Sequence, residues 1–528
     1  MENASVWAED HDAGLKTVLR DDAHCIPRAD GPVISPLVID ILLAAINAKY
    51  IHSALGQRCI QANLGSLKDR SDLVEFDIRR RASEIAEQII SRAPRILSFG
   101  VYVWNVEIVT EVVQLIRAIA PEIILLLGGP EVSFPDDLPP VADLADYVIC
   151  GEGEITYRKL CEQLLDGRKP SQKIIPQELP DLSRLELPYS LYREEDILNR
   201  VLYIETSRGC PFGCEFCLSS LDKQVRYFDQ EKLFAALEEL LERGVTQFKF
   251  TDRTFNVNIP YAVKLLRFFH ERMRPGLFLH FEMVPHLLPE ELKEWLIPFP
   301  PGAIQLEMGI QTLNPEVARR ISRTLKLEET ARSIRWLREN TGVHLHTDLI
   351  AGLPGEDMAS FARGFDTLLG WQPQEIQLGI LKRLRGARIA RHTQEWGMVY
   401  SPRTPYEILK TNHISYPEMC DMKRFARFWD LIANSGRFVQ SAPLIWQGQP
   451  SAFHAFMECT RYLFTQLHQQ SEIALPRLAR LLEEFLTDIR RLDPEQVHQT
   501  IESDLTHSRS KNSHTHPTHA IRQERRQE

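Results

Sequence analysis

The feature that most constrains the fold is an alternation of apolar strand patterns with amphipathic helical stretches, which runs twice along the chain. The strand patterns of the first series are 37–47, 74–78, 95–103, 123–129 and the beginning of 146–165. Neighbouring strands that run in the same direction need a crossover connection, usually a helix. The first series therefore predicts an α/β domain with a doubly wound, flavodoxin-like parallel sheet, whose ligands bind at the carboxyl ends of the strands.

The second series contains six strand patterns, with helical stretches between successive strands. These strand patterns are 201–207, 247–252, 277–283, 303–311, 343–352 and 375–381. The stretch KLFAALEELLERG, which follows the first of them, has apolar residues at the i, i+3 and i+4 spacing of an amphipathic helix. Six βα units in a row predict a (βα)6 partial barrel, in which chemistry gathers at the C-terminal ends of the strands.

These patterns divide the chain into six segments. We predict a flexible leader over 1–35, a doubly wound domain over 36–170, a proline-spaced linker over 171–198, a partial barrel over 199–400, a mainly helical segment over 401–500 and a disordered polar tail over 501–528.

Composition excludes several classes of protein. Hydrophobic residues at 44% and charged residues at 25% are typical of a globular protein with an ample core, and a formal net charge of -10 argues against nucleic-acid binding through bulk positive charge. We find neither a run of ~20 apolar residues that would span a membrane nor an apolar secretory signal at the start of the sequence. An odd count of nine cysteines does not fit a disulfide framework. We expect a cytoplasmic protein with reduced thiols.

Three of the cysteines stand together in RGCPFGCEFCLSS, directly after the first strand of the second series. Structural zinc takes four closed ligands, usually as paired hooks, and a redox pair needs only two thiols. Iron–sulfur clusters are held by cysteine thiolates, and three cysteines leave one iron of a cubane open. The spacing of Cys210, Cys214 and Cys217 therefore favours a cluster, with structural zinc and a redox patch as the alternatives.

The CxxxCxxC spacing, the aromatic Phe216 before the third cysteine and the position after the first of six βα strands resemble the radical S-adenosylmethionine (radical SAM) superfamily. The resemblance implies that Cys210, Cys214 and Cys217 bind a [4Fe-4S] cluster whose open iron chelates SAM. It further implies reductive cleavage of SAM to a 5′-deoxyadenosyl radical, with Phe216 beside the cofactor.

Three further segments at strand ends resemble SAM-binding elements of that family. In LEMGIQT, Glu307 and Gln311 match an E-x-G-x-Q-[ST] segment that contacts the ribose and sulfonium. In RISR, Arg323 matches an arginine that faces the SAM carboxylate, and DLIAGLPGE, with Gly352, matches a segment that borders the adenine. The usual GGE-like element for the SAM amino group is replaced by KFTDRTFN, where Asp252 is the substitute candidate. The alternative for Asp252 is a cap of the next helix.

The first domain resembles the cobalamin-binding domains that are attached to some radical SAM enzymes. The resemblance rests on glycine-bearing strand ends, which let a corrin approach the backbone without side-chain bulk. It implies that cobalamin binds at Ser98, Gly100, Gly128, Gly129, Gly151, Glu152 and Gly153. The loop NAKYIHSALG lacks the D-x-H-x-x-G motif that supplies a histidine to cobalt, so the chain is similar to members without that ligand; His52 is interpreted as a packing or surface residue.

Together the resemblances predict a cobalamin-dependent radical SAM methyltransferase that acts on an unactivated carbon of a small-molecule or peptide substrate. They imply a reducing partner such as flavodoxin or ferredoxin. One alternative keeps both cofactors but performs a cyclisation or rearrangement without methyl transfer. The other is a non-catalytic iron–sulfur redox switch or cobalamin sensor, which the SAM-site residues disfavour.

Overall fold

A computed structural model describes residues 39–469 and 473–512. The flexible leader predicted over 1–35, and the part of the predicted disordered tail beyond 512, lie outside these residues.

The first sheet has six parallel strands in the order β2-β1-β3-β4-β5-β6. Its strands are β1 Ile41–Asn47, β2 Ser71–Asp77, β3 Ile96–Gly100, β4 Ile124–Gly128, β5 Tyr147–Ile149 and β6 Ile174–Ile175. Its helices are α1 Leu55–Ala62, α2 Ala82–Ile90, α3 Val106–Ile119, α4 Val141–Leu144 and α5 Glu154–Leu165. The order reverses between β1 and β3, which places a topological switch point at their carboxyl ends.

Apolar side chains cover both faces of this sheet, as a doubly wound fold requires. On α3 the buried valines and isoleucine follow the i, i+3, i+4 spacing, at Val109, Val112, Val113 and Ile116. They pack on one face of the sheet with α2, while α1 and α5 cover the other face. The predicted flavodoxin-like architecture is confirmed.

The predicted linker over 171–198 is shorter and more ordered than expected. Strand β6 pairs with β5 inside that range, so the first sheet continues to residue 175; a two-residue strand is too short to produce a period in sequence. After it, the fully buried Tyr189 and Tyr192 donate hydrogen bonds to the carbonyl oxygens of Glu205 and Tyr203, both at 3.0 Å. This segment therefore holds the first strand of the barrel in place.

The second sheet contains six parallel strands in chain order, from β7 to β14, with a small antiparallel pair, β8 and β9, inserted after β7. The strands are β7 Leu202–Ile204, β8 Ser207–Arg208, β9 Arg226–Tyr227, β10 Gln247–Phe250, β11 Phe278–Glu282, β12 Ile304–Gln311, β13 His344–Ala351 and β14 Glu375–Ile380. The helices are α6 Glu194–Asn199, α7 Gln230–Glu242, α8 Ile259–His270, α9 Glu290–Leu296, α10 Pro315–Arg320, α11 Leu327–Asn340 and α12 Met358–Gly370. The predicted (βα)6 partial barrel is confirmed.

The C-terminal part begins with an antiparallel pair and continues as helices that share the barrel's hydrophobic core. Its elements are β15 Val399–Tyr400, β16 Ile408–Lys410, α13 Tyr416–Ile432, α14 Ala452–Leu467, α15 Leu475–Glu484 and α16 Pro494–Asn512. The prediction of disorder from residue 501 is wrong as far as 512. There α16 buries Ile501, and the Asp504 carboxylate accepts hydrogen bonds from the backbone and hydroxyl of Ser441 at 2.9 and 2.7 Å.

Throughout the described ranges, every helix is too short or too polar to cross a membrane.

Candidate cofactor and active site

The three predicted cluster ligands lie on one loop, residues 208–221, at the carboxyl end of β7 (the cluster loop). Cys210 and Cys214 are buried, Cys217 is partly exposed, and all three are free thiols. The loop leaves β8 through Gly209, whose φ of +92° is open to glycine but strained for other residues. Burial raises the pKa of the Cys210 thiol, and nearby Cys217 and Cys214 raise it further.

Buried polar contacts anchor the cluster loop to the end of the barrel. The Glu215 carboxylate, between two of the cysteines, accepts hydrogen bonds from Ser322 Oγ at 2.8 Å and from Arg391 Nε at 2.9 Å, and it pairs with His392 Nε2 at 2.8 Å. The Ser220 hydroxyl lies 2.7 Å from the carbonyl oxygens of both Cys214 and Cys217. The backbone that carries the thiols is therefore held from both sides.

The donor set fits an iron–sulfur cluster better than a single ion. In the described part of the chain, His, Cys, Asp and Glu side chains form no group of three that could hold one metal ion. Cysteines that each bind a different iron of a cubane lie farther apart than the ligands of one ion. Three thiols on one anchored loop are the donor set that an iron–sulfur cluster with an open iron uses.

The end of β12 lies beside this loop. Arg323 Nη1 is 3.4 Å from Cys214 Sγ, and Arg323 Nη2 also donates to the carbonyl oxygen of Gly309. Pairing between β12 and β13 shifts register at Gly309 and Gln311, and Gln311 has a φ of +72°. Such bulges re-aim side chains next to active sites. The structure thus places Arg323 beside Cys214 and, through Gly309, beside the bulge that contains Gln311.

Glu307 points into a polar barrel interior. Its carboxylate lies 2.9 Å from His280 Nε2. Burial alone would raise the pKa of Glu307, but the His280 contact and the charges of His280 and His346 hold it well below the usual value. His346 lies 2.9 Å from Glu375 and 3.1 Å from Asp348; although burial opposes it, these carboxylates raise the pKa of His346 to about 10. Glu307 is therefore kept ionised.

Asp252 has a structural role in this geometry. Its buried carboxylate accepts hydrogen bonds from the Thr206 backbone at 3.0 Å, from the Thr206 hydroxyl at 2.6 Å and from the Ser207 hydroxyl at 2.5 Å. It thereby fixes the end of β7, where the cluster loop begins. The helix-capping alternative does not describe these contacts, since α8 is capped by Asn258. That Asp252 contacts SAM stays a prediction.

Phe216 and Gly352 occupy packed positions near the same end of the barrel. Phe216 is partly buried and packs against the barrel core. Gly352 has a φ of +87°, and an added Cβ would lie 2.5 Å from Ile408 Cγ2, so the turn after β13 requires glycine there. Their contacts with SAM stay predictions.

A cavity of about 890 Å³ lies between the carboxyl ends of the first sheet and the cluster loop. All seven predicted cobalamin positions line it: Ser98, Gly100, Gly128, Gly129, Gly151, Glu152 and Gly153. From the barrel side the cavity is lined by Leu218, Ser219 and Leu221, immediately after Cys217, and by Tyr203 and Arg253. The space therefore joins the predicted cobalamin site to the cluster loop. Backbone-lined strand ends over a volume of this size fit a large flat cofactor.

Glu152 contributes to this cavity differently from the glycines. Its carboxylate pairs with Arg208 Nη1 at 2.7 Å and also with Arg226. Arg208 binds Glu154 at 2.7 Å and Glu205 at 2.9 Å as well. Glu152 thus joins the first domain to the cluster loop by ion pairs, in addition to lining the cavity.

Sequence reasoning missed several lining residues. Tyr102 and Trp104 stack with ring centroids 4.4 Å apart, and burial raises the pKa of Tyr102 to about 12. His52 lines the cavity and lies 2.7 Å from the hydroxyl of Tyr203. The charged barrel interior had a readable signal in FLHFE and IQLEMGIQ, where polar residues alternate with apolar ones. Buried parallel strands are usually continuously apolar. In β11 and β12 that alternation puts His280, Glu282 and Glu307 on the inner side.

Three family models match the sequence. They are the B12 binding domain over residues 41–161, the radical SAM superfamily over 204–368 and a protein of unknown function (DUF4080) over 394–528. The radical SAM domain brings a [4Fe-4S] cluster and SAM, and the B12-binding domain brings cobalamin, so the predicted cofactors are confirmed.

Two relatives are methyltransferases. The chain is 28% identical over 313 residues to the 2-(S-pantetheinyl)-carbapenam-3-carboxylate methyltransferase of Streptantibioticus cattleyicolor. The aligned region covers 52% of this chain and 45% of the relative. It is 24% identical over 448 residues to the cobalamin-dependent radical SAM methyltransferase TokK of Streptomyces tokunonensis. This aligned region covers 76% of this chain and 63% of that protein. The chain thus spans about half to just under two thirds of the length of these relatives.

A solved structure shares the fold over part of the chain. The radical SAM methyltransferase TsrM from Kitasatospora setae, with tryptophan substrate and a SAM analog bound, matches with a TM-score of 0.54 and 17% identity over 66% of this chain and 75% of that one. At this identity the likeness shows a shared fold. The chain therefore contains a B12-binding domain over residues 41–161 followed by a radical SAM domain over residues 204–368.

Proposed function

We propose that this chain is a cytoplasmic, cobalamin-dependent radical SAM methyltransferase that transfers a methyl group to an unactivated carbon of a small molecule or peptide. The observation that carries the proposal is the cavity of about 890 Å³, which places the strand ends of the B12-binding domain and the cluster loop around one space. When bound there, the cluster and SAM supply a hydrogen-abstracting radical, and cobalamin supplies the methyl group.

The residues of the chain position these partners. Cys210, Cys214 and Cys217 would hold the cluster, while Arg323, beside Cys214, would bind the carboxylate of SAM. Glu307, which the neighbouring histidines keep ionised, would accept hydrogen bonds from the SAM ribose. The cavity connects the two proposed cofactor positions and would take the substrate between them.

The overall reaction consumes two molecules of SAM for each methyl group transferred. One yields methionine and 5′-deoxyadenosine, which carries the hydrogen atom removed from the substrate carbon. The other gives up its methyl group and yields S-adenosylhomocysteine. Two electrons enter from a reductant, for which we propose flavodoxin or ferredoxin.

The proposal is tested on protein purified and reconstituted without oxygen, with cobalamin supplied. Iron, sulfide and bound corrinoid are quantified, and SAM and dithionite are added. We expect about four irons per chain, bound corrinoid, and slow release of 5′-deoxyadenosine even without substrate. The Cys214→Ala variant should lose SAM cleavage, and Cys420→Ala, which removes a thiol on α13 away from the cluster loop, should keep it.

The alternatives give different results in the same assay. A cluster with no SAM cleavage would contradict the proposal and favour a redox switch or sensor. Once a substrate is available, product that forms without a matching amount of S-adenosylhomocysteine would indicate a cyclase or rearrangement enzyme.

A further inference from the structure

Two arginines line the cavity, Arg208 and Arg253, and they differ in how many carboxylates surround them. Arg208 pairs with three carboxylates at 2.7–2.9 Å and is only 14% exposed. Its charge is therefore fully neutralised by the protein. Arg208 has a structural role, because it joins the first domain to the cluster loop.

Arg253 has a single ion pair. Its Nη1 atom lies 3.1 Å from Glu282 Oε1. About half of its side-chain surface, 51%, is accessible. Arg253 is also one of the residues that line the cavity.

Arg253 lies on the cavity wall between the two predicted cofactor sites. It follows β10 at the carboxyl end of the barrel, and Thr251 and Tyr203 line the cavity beside it. Glu282, and then Cys217 and Glu307, are close enough to raise the pKa of Arg253. The guanidinium is thus near both the third cluster ligand and the SAM-side residue Glu307, and on the wall of the space that reaches the cobalamin strand ends.

A guanidinium with unused N–H groups in such a space has a limited set of partners. The planar fork of arginine binds carboxylates and phosphates through two parallel hydrogen bonds. A purely structural ion pair in a protein interior needs its remaining donors satisfied to offset desolvation. Glu282 satisfies one end of Arg253, while half of the side-chain surface remains accessible.

We infer that Arg253 binds an anionic group, a carboxylate or a phosphate, of the substrate and so selects anionic substrates. This inference rests on the proposed function and names its substrate class. Glu282 would hold the guanidinium in place while no substrate is bound and would compete with the substrate anion for it.

The test measures binding of small probes to the reconstituted holoenzyme with cobalamin and SAM present, by isothermal titration calorimetry. The probes are benzoate, phenyl phosphate and the neutral isostere benzamide. We expect benzoate or phenyl phosphate to bind measurably more tightly than benzamide. The anion that binds more tightly indicates whether the substrate group is a carboxylate or a phosphate. Arg253→Gln should weaken that anion at least ten-fold, and Arg253→Lys, which keeps the charge but not the fork, should have an intermediate effect.

A second variant moves affinity in the opposite direction. Glu282→Gln removes the competing carboxylate and should tighten anion binding about three- to ten-fold, so the inference can be tested even if Arg253→Gln folds poorly. Arg184→Gln serves as the matched control, because Arg184 also pairs with one carboxylate but is 86% exposed on the surface. It should bind the probes like the wild type.

Several outcomes would overturn the inference. The wild type and Arg253→Gln would bind the anion with equal affinity, benzamide would bind as tightly as benzoate, or no probe would bind at all. Loss of affinity for SAM or corrinoid in Arg253→Gln would also overturn it, because the arginine would then belong to a cofactor site. SAM cleavage by the same preparations separates the two claims. If SAM is cleaved but anions do not bind, only the substrate class is wrong; if SAM is not cleaved, the proposed function itself is wrong.

Discussion

Two adjacent glycines at the end of β4 provide a matched test of the cobalamin site. Gly129 has φ +99° and ψ 170°, a region that only glycine populates readily. A Cβ added there would lie 2.7 Å from the carbonyl oxygen of Val101 and 2.9 Å from its nitrogen. The backbone conformation costs of order 1–3 kcal/mol, and overpacking against a neighbouring backbone typically costs a further 1–3 kcal/mol. We expect Gly129→Ala to destabilise the fold by about 2–6 kcal/mol.

Gly128 is the control at the next position. A Cβ added there would meet only the carbonyl oxygen of Ile149, at 3.8 Å, which is ordinary contact. Because Gly128 lines the cavity, the new methyl group would enter the space assigned to the corrin. Gly128→Ala should therefore keep wild-type stability while its affinity for corrinoid falls.

Thermal unfolding of the full-length apoprotein and corrinoid content after reconstitution separate the two effects. At roughly 2–4 °C per kcal/mol for a domain of this size, Gly129→Ala should melt at least about 4 °C below the wild type, and Gly128→Ala within about 1 °C of it. Wild-type melting of Gly129→Ala would refute the steric reasoning. Full corrinoid binding by Gly128→Ala would refute the placement of the corrin over β4.

Three further predictions concern the cluster, a buried acid and the contact between domains. Alanine at Cys210, Cys214 or Cys217 should each abolish the iron–sulfur chromophore and all SAM cleavage, measured by absorption spectroscopy and iron analysis; an intact cluster in any one variant would show that its thiol is not a ligand. Burial raises the pKa of Glu356 from 4.5 to about 7. The Glu356 carboxyl therefore loses its proton at a lower pH in the unfolded chain than in the folded one, and the folded state loses stability as the pH rises through that range. Glu356→Gln should equal the wild type at pH 4 and exceed it by roughly 3 kcal/mol at pH 8 in denaturant titrations, from about 1.4 kcal/mol per pKa unit. Equal stabilities at pH 8 would contradict this. Arg385 pairs with the buried Glu131 at 2.8 Å. Arg385→Met should therefore lower the free energy of unfolding by roughly 3 kcal/mol and release corrinoid while the cluster remains. Retention of corrinoid would show that this contact does not position the first domain.

The predictable part of this protein is the part that local pattern determines. Strand and helix periods along the chain identified both sheets, because apolar residues such as Val109 and Val113 recur at the spacing that each element buries. The cysteines are close in sequence, so their grouping needed no tertiary information. The seven residues predicted to bind cobalamin line one cavity because the ends of neighbouring parallel strands meet at one edge of a sheet; that they bind cobalamin stays a prediction.

The less predictable part depends on contacts between residues far apart in sequence. Asp252 sits at the expected strand end, but its carboxylate is used by Thr206 and Ser207, a pairing that only the register of β7 against β10 determines. Strand β6 has two residues, and α16 is polar yet docked through Asp504, so neither produced a pattern that sequence reasoning could use. In each case the stabilising partner is another segment of the fold.

The ion pairs between the two domains explain why the cavity has the composition it does. Arg385 reaches back from the segment after β14 to Glu131 and to Asp137 of the first domain, and Arg208 of the cluster loop reaches Glu152. Each of these cations is matched by carboxylates, so the walls that hold the cofactors carry little free charge. Arg253 is the exception on that surface, with one carboxylate and half its side chain open. A guanidinium with one carboxylate partner and accessible N–H groups on a wall of otherwise matched charges can take a second anion, and that is the physical reason to expect a substrate anion there.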